Sequence, residues 1–128
     1  MTFEENLDAP YSHLLGIAEK ELLAILSSLP PEIRTPVSSL PLIFEEFPSE
    51  EAIADGISPD QLGVFEGSPA LESDAPQPAR IIIWLGNIWD MCEACESGYR
   101  EEVRVTILHE FGHFLGWDEE DLFDRGLE

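Results

Sequence analysis

Apolar residues return at helical spacing near the start of the chain. Leu14, Leu15, Ala18, Leu22, Leu23 and Ile25 crowd toward one face between Tyr11 and Leu29, which predicts an amphipathic helix there. The pair Pro30–Pro31 ends it, because proline lacks an N–H and its ring clashes with a continuing helix. The pattern then shifts to short extended runs. LPLIFEEF, Leu40 to Phe47, reads as a strand, and LGVFEG, Leu62 to Gly67, as a second. Between them SEEAIADG reads as a short turn of helix after Ser49, with Gly56 closing it. RIIIWL, Arg80 to Leu85, is β-branched and apolar enough to sit inside a sheet. Asn87 to Glu96 follows as a short helix closed near Gly98. Arg100 to Leu115 is the main C-terminal helix; Gly116 ends it, and Asp118 can cap one last short helix. Residues 1–9 read as a loose acidic tail, and the Pro-, Ser- and Asp-rich stretch Ser68 to Ala79 as a mobile loop.

Helix, strands, then helices is an α+β order. It predicts a small mixed sheet packed with the N-terminal helix and the C-terminal helix. With 128 residues and no internal repeat, the chain reads as one domain over 1–128.

Apolar residues make up 44% and charged residues 26%, ordinary for a globular protein. The charge balance is not ordinary: 27 Asp and Glu face 6 Lys and Arg, a net charge of −21. Such a surface repels phosphate backbones and anionic bilayers, so neither nucleic acid nor membrane is expected as a partner. Metal ions and basic peptides are attracted instead. MTFEENLDAP lacks the basic and apolar regions of a secretion signal. The apolar run Ile81 to Trp89 is far too short to cross a bilayer. A cytoplasmic protein, monomeric by default, is the expectation.

The chemistry gathers in the segment HEFGHFLGWDEED, His109 to Asp121. On a wheel of about 100° per residue, Val103, Ile107, Leu108, Phe111, Phe114 and Leu115 share one broad arc. His109 and His113 point to the other side, with Thr106 and Glu102. One turn apart, their rings can converge on a single ion. Glu110 lies to the flank, where a base acting on a metal-activated water would sit. The third ligand must come from beyond the helix. Gly116 permits a sharp reversal, and the third residue after it is Glu119. Two histidines and a carboxylate leave the fourth zinc position open. Glu120 is the alternative to Glu119, and the acids from Asp118 to Asp121 also suit the start of a helix.

CEAC, Cys92 to Cys95, can be read as a redox pair or half of a second zinc site. Ile88, Cys92 and Cys95 share one helical face, however, which predicts buried, reduced thiols. His13 reads as a surface residue.

The chain resembles the small bacterial zincin-like metallopeptidases, the minimal zincins. LLAILSSLPPEI, LGVFEG, RIIIWLG and VTILHEFGHFLGWDEEDL carry the resemblance, which spans most of residues 11–122. It implies a zincin fold with one zinc on His109 and His113, an acidic ligand at Glu119, and Glu110 as base. Phe114 stands where many members carry another histidine, Glu119 where aspartate is usual, and no methionine turn follows the helix. The expected function is zinc-dependent hydrolysis of small peptides or flexible segments, held extended along RIIIWL or LGVFEG. The alternative is a non-catalytic metal- or partner-binding module that retains the zincin shell.

Overall fold

The computed structural model describes residues 10–67, 79–117 and 120. The expectations for residues 1–9, for most of the loop from Ser68 and for an Asp118 cap lie outside them. Helix α1 spans Tyr11–Ser28 and buries Leu14, Ile17, Ala18 and Ile25. A second helix, α2, Pro31–Ser38, follows at once. It was not expected from the sequence. Pro31 occupies its first turn, where the missing N–H has no intrahelical partner to lose. The proline pair thus stops one helix and starts the next. The Arg34 guanidinium ties the joint by donating to the Leu29 carbonyl at 2.7 Å.

Strand β1, Leu42–Glu45, is shorter than its apolar run. Helix α3, Glu50–Ala54, is capped as expected: the Ala52 N–H donates to the Ser49 hydroxyl at 3.0 Å. Strands β2, Gly63–Glu66, and β3, Arg80–Trp84, complete a mixed sheet of order β1-β3-β2. β1 runs parallel to β3, with Leu42 opposite Ile81; β2 runs antiparallel, with Phe65 opposite Ile81. β3 is therefore the centre, which is why its side chains are apolar on both faces. Ile81 and Ile83 join the main core, while Ile82 and Trp84 are buried on the other face.

Helix α4, Leu85–Met91, leaves β3 directly, and α5, Glu96–Phe114, crosses under the sheet. The helix expected over Asn87–Glu96 thus ends early, and the last long helix begins four residues before Arg100. The break falls at Glu93 and Ala94, both left-handed at φ 55° and 59°, and Gly98 lies inside α5 rather than closing a helix. Ile17 and Ala18 of α1 share the core with Val103, Ile107 and Phe111 of α5. Buried Tyr99 locks the two helices: its hydroxyl donates to the Leu14 carbonyl at 2.8 Å, and its ring meets Trp89 edge-on at 5.6 Å. Among the described residues no helix is long and apolar enough to cross a membrane.

Candidate metal centre

Helix α5 is covered on two sides. One side meets α1 and the core; the other lies against β2. The Phe65 and Phe114 rings pack edge-to-face at 5.8 Å. A Cβ on Gly63 would come within 3.1 Å of the Thr106 methyl, so glycine lets the strand approach the helix this closely. This corrects the wheel: Thr106 is buried rather than solvated, and Glu110 is only 7% exposed.

The upper turns of α5 bring His109, Glu110 and His113 together. One ligand atom of each lies within 4.8 Å of the others. The two histidine Nε2 atoms are 2.9 Å apart, with the rings nearly perpendicular at 80°. Two imidazole nitrogens bound to one tetrahedral zinc at 2.0–2.1 Å would stand roughly 3.3–3.4 Å apart. The pair is therefore within a few tenths of an ångström of a zinc-ready spacing, and two imidazole nitrogens suit that ion.

Burial pushes the Glu110 carboxyl above its usual range. The neighbouring His113 and a backbone hydrogen bond from Phe65 oppose that shift without cancelling it. The cleft is open along β2. A recess of about 390 Å³ is lined by Gln61, Gly63, Val64, Phe65, Glu110 and His113, among others. The backbone partner of Glu110 and the recess wall come from β2, some 45 residues earlier in the chain, which helical periodicity cannot reveal.

Gly116 ends α5 as expected. It is left-handed at φ 78°, and the closing bonds run from Gly116 N–H to the His113 carbonyl and from Trp117 N–H to the Gly112 carbonyl. This is the Schellman arrangement, which satisfies the Gly112 and His113 carbonyls at the end of the helix.

Residues 37–127 match the family model for zincin-like metallopeptidases. The chain belongs to that family. The match starts within α2 and takes in the whole sheet and α5. A search of curated proteins finds no match. Membership of the zincin-like family implies a metal, typically zinc, and His109, Glu110 and His113 form the group that could hold one. Glu119 lies outside the described residues. Glu120 is exposed and stands apart from that group.

The cysteines of this zincin-like chain do not share a helical face. Cys92 caps α4 and is half-buried, whereas Cys95 precedes α5 and is exposed, so the expectation of two buried thiols fails for Cys95. Both are free. Among the described residues neither belongs to a group able to hold a metal. Exposed His13 pairs with Glu96 at 2.7 Å, a surface contact as expected.

Proposed function

We propose that this chain is a zinc-dependent peptidase in which Glu110 is the general base. The observation that carries the reading is the position of that carboxylate: buried, beside the histidine pair, and bonded to the edge strand where a peptide can lie. His109 and His113 would hold zinc through their Nε2 atoms, with Glu119 as third ligand and Glu120 as its alternative. When bound, zinc supplies Lewis-acid polarisation of the carbonyl and acidifies a water toward a pKa of about 7. Glu110 accepts the proton from the attacking water on a carboxylate oxygen. It holds that proton and then delivers it to the leaving amine. A carboxyl that burial makes more basic than an exposed glutamate suits the proton-accepting half of this transfer.

β2 is the strand that would hold the substrate. β3 is paired on both edges, so RIIIWL is ruled out as the docking strand. The Trp84 N–H donates to the Leu62 carbonyl at 2.9 Å, and the antiparallel alternation then turns the backbone groups of Gly63 and Phe65 to the outer edge. The Gln61 amide covers the Gly63 carbonyl at 3.1 Å, and an added strand would take its place. A module that only bound metal would gain nothing from a buried acid beside its ligands.

The test is digestion of a mixed peptide library by the zinc-loaded protein. Cleavage that stops on chelation and returns with added zinc is expected. A fully loaded protein that cleaves no member contradicts the reading and leaves the binding module.

A further inference from the structure

A second recess, of about 230 Å³, opens beside the histidines on the N-terminal side of α5. It shares Gly63 and Glu110 with the larger recess, so the two form one groove passing the candidate metal centre. Its further walls are Leu62, Glu102, Val105 and Thr106. We infer that this recess is a side-chain subsite for lysine or arginine of a peptide substrate, with Glu102 as the residue that sets the preference. The inference rests on the peptidase reading above.

Three observations carry it. First, away from Glu110 and His109 at the candidate metal centre, the walls combine aliphatic surface with one further carboxylate, Glu102. Leu62 and Val105 offer apolar contact to a long methylene stem, and Glu102 offers the opposite charge to its head. Second, that carboxylate is held in place and not neutralised. The Thr106 hydroxyl donates to Glu102 Oε2 at 3.3 Å, and Thr106 is itself pinned beneath Gly63. The nearby cations are engaged elsewhere: Arg100 with Glu21 and Glu96, Arg104 with Glu101. Among the described residues no cation pairs with Glu102. Third, the groove is asymmetric. The adjoining recess shares Leu62 and adds Asp60 and Asp90, whereas among the described residues the wall beyond Glu110 on the other side adds to His113 only the uncharged Gln61, Val64, Phe65 and Gly67.

The spacing gives the subsite a position. Glu102 precedes His109 by seven residues, or roughly 10 Å along the helix axis. An extended peptide at about 3.3–3.4 Å per residue covers that distance in roughly three residues. The preference is therefore expected about three positions from the cleaved bond.

The test compares kcat/KM for peptides that differ only at that position, lysine or arginine against norleucine, glutamine, aspartate or glutamate, across the wild-type protein, Glu102→Gln and Glu102→Lys. Wild type should favour the basic peptides by roughly tenfold or more. Glu102→Gln should collapse that ratio, and Glu102→Lys should turn the preference toward aspartate and glutamate. Zinc content and thermal unfolding of each variant separate this effect from misfolding. Wild-type cleavage that ignores charge, or a basic preference that survives Glu102→Gln, overturns the subsite and leaves the peptidase reading intact. No cleavage by any zinc-loaded protein removes the peptidase reading, and the subsite falls with it.

Discussion

The Nε2 atoms of His109 and His113 stand 2.9 Å apart across one turn of α5. Without an ion, one ring must donate to the other. With one, both lone pairs turn to the metal, so zinc and proton compete for the same two atoms. The protein is expected to carry about one zinc per chain, and His113→Ala to lose most of it. Elemental analysis after dialysis checks this. A second zinc that persists in His113→Ala and disappears in Cys92→Ser would return the cysteine pair to a metal role.

The third ligand of the proposed zinc site is open to direct test. Gly116 is left-handed at φ 78° and the Trp117 N–H closes the helix on the Gly112 carbonyl; the proposed third ligand, Glu119, follows three residues after that glycine. Glu119→Ala is expected to weaken zinc binding by about tenfold or more, and Glu120→Ala by less. Competition with a chromophoric chelator measures both. The reverse order would assign the third position to Glu120.

Tyr99 joins α5 to α1 through a hydroxyl buried in the core. Burial drives its ionisation far above the ordinary tyrosine range, so it remains a donor at any working pH. Tyr99→Phe keeps the ring against Trp89 and removes only the bond to Leu14. A loss of about 0.5–1.5 kcal/mol in unfolding free energy is expected, with zinc content unchanged. Denaturant titration gives the first quantity and elemental analysis the second.

The two thiols should separate chemically. The Ser97 hydroxyl and the Gly98 backbone lower the Cys95 pKa, while burial, then Glu102 and Cys95, raise that of Cys92. Alkylation proceeds through the thiolate, so Cys95 should react first and its rate should rise at lower pH than that of Cys92. Peptide mapping after brief iodoacetamide treatment at about pH 8 reads the order. Equal labelling would contradict the burial difference.

Much of this architecture is legible in the residue pattern, and the parts that are not share a physical cause. RIIIWL announces a central strand because both its faces are apolar, and the histidine pair announces itself by one-turn spacing on a non-core arc. Helical periodicity, however, compares a helix with one apolar neighbour. α5 has a second, β2, and this buries Thr106, which the wheel sets opposite the core, and Glu110, which it sets on the flank. The break between α4 and α5 falls on Glu93 and Ala94, which adopt left-handed backbone without glycine or proline to signal it. That break separates Cys92 from Cys95, so the helical periodicity linking them does not hold. Pro31 signals a stop in the residue pattern, but proline in a first turn also starts a helix, as it does in α2.

The central claim is that Glu110 moves the proton and does not hold the metal. Glu110→Gln preserves shape and polarity and removes the base. The decisive measurement is the single-turnover rate of peptide cleavage by this variant at zinc content matched to wild type. The account predicts a fall of roughly 10²-fold or more with zinc and thermal stability nearly unchanged. Cleavage at the wild-type rate by the zinc-loaded Gln variant would contradict it.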